Sequence, residues 1–244
     1  MTATSEKIWR GDPRGLREAL LNAKELEGQG NLLDAAVMRA SAFYSYVHGV
    51  LALHRLYRAR FYAEEAAALF AEKVRKEGEA KVSHGQCDVI GTILLRRVLW
   101  KKPNPSEALK FFVTGLNKSG MPFHSRALLY MGKAEAMHLM GSLDQADMFL
   151  HEAVWLEEEV LAERNLTFAR RQFLRVLRRA FVLAHHIGRF DLAHDLYAQA
   201  KTYAAKEPDI AVATRAMERV QREWDKVLFP NPVTRLFYGY SGRD

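Results

Sequence analysis

Small apolar residues recur along this chain at helical spacings, and their punctuation repeats. Ala134, Gly141, Ala146 and Ala153 lie 7, 5 and 7 residues apart, and Gly188, Ala193 and Ala200 keep the 5 and the 7. Tyr130 precedes the first set, Leu150 stands between its last two members, and Tyr197 takes the place of Leu150 in the second. Small side chains at such positions let two antiparallel helices cross closely, and repetition of the pattern predicts a stack of hairpins.

The same pattern can be followed from the N-terminus. Asp12-Pro13 is a helix start, with aspartate as cap and proline at the first helical position. Leu16, Ala19, Leu20, Ala23 and Leu26 follow at helical spacing, and Gly28-Gln29-Gly30-Asn31 ends that helix. A second helix begins near Leu32 and carries Ala35, Ala36, Ala40 and Ala42; Gly49 is the expected break before another that reaches Gly78. The polar stretch 78–86 predicts a loop, the one place for an internal boundary. Residues 87–101 read as a helix stopped by Pro103-Asn104-Pro105, after which Asn104 caps a new helix with Glu107 at the capping-box position.

Residues 123–140 and 142–159 predict the clearest hairpin, with Ser142 and Gln145 as a capping box, and residues 165–187 and 190–206 predict the next. Pro208-Asp209 opens a final amphipathic helix through Ile210, Ala213, Met217, Val220 and Trp224, suited to closing the stack. The reading is one helical domain over residues 1–228, followed by an irregular tail over 229–244. In that tail, aromatics and arginines either cover the end of the stack or form a docking segment.

Together, Gly30/Ala35, Ala108/Phe112/Gly115, Gly141/Ala146/Leu150/Ala153 and Gly188/Ala193/Tyr197/Ala200 resemble tetratricopeptide repeats. The aligned alanines Ala35, Ala108, Ala146 and Ala193 are 73, 38 and 47 residues apart. The first gap is about two of the family's 34-residue units, and the longer later gaps imply lengthened helices. Ala134 and Phe181 occupy the family's first-glycine place, and Glu158 and Ala205 its proline place. The resemblance implies an all-α, right-handed superhelical stack of antiparallel helix hairpins. It also implies a concave groove, lined by the first helix of each pair, that binds peptide segments of other proteins.

Charge gives that groove a sign. The formal net charge is +7, which predisposes the protein toward acidic partners. Arg164, Arg171, Arg175 and Arg178 are spaced 7, 4 and 3, so they fall within an arc of about 60° on one helix face. Four guanidiniums on one stripe attract carboxylate or phosphate strongly. The competing reading is a solvated face paired with the upstream Glu157, Glu158, Glu159 and Glu163. If the repeat register carries over, Arg175, Arg178, Arg179 and His185 fall near groove-facing positions, with Arg97, Lys101 and His138 at matching places in earlier pairs. The candidate partner-binding set is therefore Arg171, Arg175, Arg178, Arg179, His185, Arg97, Lys101 and His138.

Chemistry beyond binding has little support in the sequence. There is no glycine-rich phosphate loop, Gly-x-Ser-x-Gly elbow or His-Glu-x-x-His, so the reading is non-enzymatic, with no cofactor. His185, His186 and His194 are close in sequence, but adjacent helical residues point about 100° apart, so no metal site is expected. A single cysteine, Cys87, reads as a helix-packing residue in a reducing compartment. No apolar run suits export or a membrane span, and a cytoplasmic location with no membrane partner is the expectation. The functional expectation is an adaptor or scaffold that holds an acidic segment of a partner protein in a basic groove. The alternative is a helical-repeat nucleic-acid binder that uses the same arginines on phosphates. The sequence does not fix an oligomeric state.

Overall fold

The computed structural model describes residues 13–47, 51–78, 82–98, 101–163 and 166–228. Asp12, Gly49, Arg164, Asn165 and the tail over 229–244, all singled out from the sequence, lie outside the described residues. Within them the chain is all helical: α1 (Pro13–Gly28), α2 (Leu32–Ser45), α3 (Ala52–Glu77), α4 (His84–Leu94), α5 (Pro105–Leu116), α6 (Phe123–Leu139), α7 (Leu143–Trp155), α8 (Glu157–Ala162), α9 (Leu166–His186), α10 (Phe190–Ala205) and α11 (Ile210–Leu228). The chain divides into two compact units, Met1–Gly115 and Leu116–Asp244.

Three helix pairs share one connection, atom for atom. After α1, α6 and α9 the chain passes through three residues, and the second of these is a glycine with positive φ: Gly30 at 76°, Gly141 at 82° and Gly188 at 81°. A left-handed residue at this point lets two backbone N–H groups turn back onto helix carbonyls that would otherwise be unsatisfied. Asn31 N donates to the Leu26 carbonyl, Ser142 N to Met137 and Arg189 N to Ala184, at 2.8, 2.9 and 2.8 Å. The glycine N–H groups donate to Glu27, His138 and His185. The residue that follows each glycine then takes nearly identical angles: −88°, 66° at Asn31, −89°, 73° at Ser142 and −89°, 67° at Arg189.

From that residue the next helix starts, and its carbonyl accepts the N–H of Ala35, Ala146 or Ala193. All three alanines have no exposed surface, as a small residue must where two helix backbones approach. The expected Ser142 capping box does not form, because the Ser142 side chain accepts no cap hydrogen bond. The glycine turn has already satisfied the helix end before it, and the start of α7 is set by backbone. Asn104 does cap as expected, its side chain accepting from Glu107 N at 3.3 Å, and the Asp209 side chain caps the last helix by accepting from Val212 N at 3.0 Å.

In the first unit, α2 lies along α1 and α3, and α4 packs on α2 and α3. Ala40, Phe43, Ala59, Ala63 and Ile93 make a core in which Phe43 stacks on Tyr62 at 5.8 Å. The predicted loop over 78–86 is shorter than expected, because Ser83 and Gln86 form a full capping box that starts α4 at His84. The same helix ends at Leu94, not at Lys101 as predicted. Arg60, only 3% exposed, explains the early stop: its Nη1 donates to the carbonyls of Leu94 and Arg96 at 2.6 and 2.9 Å, and its Nη2 to Lys102 at 3.3 Å. The Leu94 carbonyl also accepts from Asn104 N at 3.0 Å, so the chain turns back here, and Val98 pairs with Lys101 in a short bridge. Cys87 is fully buried as a packing residue and forms no disulfide among the described residues.

The second unit is built around α9, which packs against α6, α7, α8, α10 and α11. Its inward face carries Phe173, Val176, Leu177, Ala180, Phe181, Leu183 and Ala184, each without exposed surface. Burying one such side chain stabilises by about 1.5–3 kcal/mol, so this face dominates the unit. The final helix closes on it as expected: Trp224 sits edge-on to Phe181 at 5.6 Å and stacks on Tyr197 at 4.6 Å.

Candidate functional site

The hydrophobic face of α9 fixes where its arginines go. Residues 171, 175, 178 and 179 leave the helix beside the core, at the seams where neighbouring elements meet α9. Arg171 reaches Glu207, just past α10: Nε donates to Oε1 and Oε2 at 3.0 and 3.1 Å, and Nη2 to Oε2 at 2.8 Å. Arg179 reaches Glu135 on α6 with Nε to Oε1 at 2.8 Å and Nη2 to Oε2 at 3.1 Å. Arg178 grips Glu223 on α11 with the same two atoms, Nε to Oε2 at 2.7 Å. Arg175 donates to the Gln172 amide oxygen at 3.0 Å.

These pairs are largely out of water. The Glu207 and Glu135 side chains are 3% and 2% exposed, and the arginine side chains facing them 16% and 13%. A forked guanidinium–carboxylate pair is strong and directional, and at low exposure it is little screened. Three arginines thus tie α9 to α6, to the end of α10 and to α11. Their partners are not the upstream glutamates. Glu157 instead accepts from Gln199 and the Tyr203 hydroxyl, and Glu163 from His124.

The remaining candidates are scattered. In the first unit, Arg97 is half-buried with an Nε that has no hydrogen-bond partner among the described residues. Lys101 donates to Glu64 and lies 5.7 Å over the Tyr57 ring. In the second unit, His138 and His186 place their rings 6.3 Å apart, and His185 stands edge-on to Phe190 at 5.0 Å. Burial lowers the pKa of His138, against the opposing charge of Glu135, and burial with nearby His194 lowers that of His185, so both favour the neutral ring. No group of three or more metal-ligating side chains occurs among the described residues.

Two surface features escape the sequence reading. On α11, Arg215, Arg219, Arg222 and Lys226 recur at spacings of 4, 3 and 4 on the exposed side, so this helix presents a basic stripe to solvent. Between α7 and α10 lies an open groove of about 520 Å³, lined by His151, Glu152, Trp155, Asp195, Leu196 and Gln199. Trp155 is 70% exposed in that groove. The missed signal was the exposed face of α7, where Met148, His151, Glu152 and Trp155 recur at spacings of 3, 1 and 3.

The fold defines a helical-repeat-like, all-helix protein whose neighbouring helices pack on one another. No family model, curated protein or solved structure matches the chain. No helix among the described residues is long and apolar enough to cross a membrane.

Proposed function

We propose that this protein is a non-enzymatic, tetratricopeptide-like adaptor that binds a segment of a partner protein. The observation that carries the reading is the turn repeated at Gly30, Gly141 and Gly188, with the same hydrogen bonds, the same angles and the same buried alanine. Recurrence of one supersecondary unit is the mark of repeat architectures, whose extended surfaces suit them to holding polypeptide segments.

The α9 arginines have a different role in this account from the one their spacing suggests. An acidic segment that reached Arg171, Arg178 or Arg179 would have to displace Glu207, Glu223 or Glu135 from forked hydrogen bonds already made. Exchanging one carboxylate for another yields little net attraction, so these side chains brace the fold. The nucleic-acid reading draws on the same arginines and meets the same carboxylates. An acidic partner finds its cations on α11 instead.

The test is affinity capture from lysate on the full chain, at two salt concentrations, with and without nuclease. The adaptor reading expects a discrete protein retained after nuclease treatment and in the higher salt. A nucleic-acid binder would lose its ligand steeply with salt and entirely with nuclease, and that result would refute the reading.

A further inference from the structure

We propose that the groove between α7 and α10 docks a basic segment of a partner protein, which lays a lysine or arginine side chain on the Trp155 indole between Glu152 and Asp195. The inference rests on the adaptor reading and supplies the chemistry of one of its partner surfaces.

Three observations converge on a cation. The groove holds about 520 Å³, within the range of about 300–1,000 Å³ usual for ligand sites, and it is open, as suits a side chain presented by a polypeptide. Its wall is an indole 70% exposed, whereas Trp224, the other described tryptophan that packs on a helix seam, is 5% exposed. Tryptophan is the best aromatic face for an ammonium or guanidinium, and exposed aromatics are enriched where proteins meet.

The carboxylates supply the complement. Glu152 on α7 and Asp195 on α10 line the same groove, and neither has an ion-pair partner among the described residues. That is notable in a chain of net charge +7, where elsewhere Glu135, Glu207 and Glu223 are all paired with arginines. Gln199, which also lines the groove, donates to Glu157. The chain uses the same kind of contact elsewhere: the Lys133 ammonium sits 3.8 Å from the centre of the Phe149 ring.

The experiment is fluorescence anisotropy on the full chain at pH 8 and low salt. The probes are short labelled peptides alternating glycine with lysine, with arginine or with glutamate. The lysine and arginine peptides should bind in a way that depends on Trp155, against the repulsion of the net charge of +7, whereas any binding of the glutamate peptide should be unchanged by Trp155→Ala. Trp155→Ala should weaken binding about tenfold, the double variant Glu152→Gln/Asp195→Asn should weaken it by a similar factor, and Trp155→Phe should retain part of it. Trp155 is mostly in solvent, so circular dichroism should show both variants folded. The proposal is overturned if the cationic peptides do not bind, or if Trp155→Ala leaves their affinity unchanged. It is also overturned if a partner captured from lysate is held equally by the wild type and Trp155→Ala, a result that leaves the adaptor reading standing. Cationic-peptide binding through Trp155 without any captured protein would count against the adaptor reading and leave the groove in place.

Discussion

Arg179 on α9 and Glu135 on α6 form a forked ion pair, with Nε to Oε1 at 2.8 Å and Nη2 to Oε2 at 3.1 Å, and the carboxylate is 2% exposed. A buried pair of this kind contributes little over a well-packed apolar pair, but half of one is costly, because the surviving charge keeps its burial and loses its partner. Glu135→Ala should therefore lower the unfolding free energy by about 3–5 kcal/mol, as read by urea denaturation. A loss below about 1 kcal/mol would mean that Arg179 swings out to water when released.

Gly91 faces Phe112 so closely that a Cβ atom there would lie 2.6 Å from the ring, and Phe112 has no exposed surface. Gly91→Ala should destabilise the first unit by about 1–3 kcal/mol through overpacking, despite the better helix propensity of alanine. The companion change Phe112→Leu should recover part of the loss, and thermal denaturation of the two single variants and the double variant measures it.

Arg60 holds the carbonyls of Leu94, Arg96 and Lys102 in place at the end of α4. Lysine offers a point charge in place of a planar fork, so Arg60→Lys cannot satisfy all three. Hydrogen exchange should show the amides of residues 94–102 losing protection in Arg60→Lys, while those of α9 and α10 keep theirs.

Glu223 sets an acid limit. Burial pushes its carboxyl upward, but the charge and hydrogen bonds of Arg178, with help from Arg219 and Lys226, hold it below the ordinary 4.5. A carboxylate depressed in the folded state stabilises above its unfolded pKa, and that contribution is lost as pH falls through the folded value. Melting temperature should thus decline below about pH 4.5, and Glu223→Gln should show a shallower decline over that window.

The helices were legible wherever local chemistry decided them. The spacing from Gly141 to Ala146 and from Gly188 to Ala193 marks the shared turn, because a left-handed glycine and a buried alanine are both demanded by geometry within five residues. The end of α4 was not legible, since Arg60, which ends it, lies 34 residues before Leu94 in the chain. The ion pairs of the arginine stripe were not legible either. Its periodicity correctly put Arg171, Arg175 and Arg178 on one side of α9, but periodicity does not say what faces a helix. Glu207, Glu135 and Glu223 lie 36, 44 and 45 residues from their partners, and no local pattern announces them. The Trp155 groove was hidden likewise, being assembled from two helices of successive pairs.

The measurement that bears most directly on the account separates bracing from binding on α9. In the double variant Glu135→Leu/Arg179→Met, the buried pair is replaced by apolar groups of similar size, which is often neutral or stabilising. Its stability and its capture of a protein from nuclease-treated lysate are then compared with those of the wild type. The expected result is a folded protein of similar stability that captures the same partner. A variant that is equally stable but no longer captures it would contradict the account and return Arg179 to the partner-binding surface.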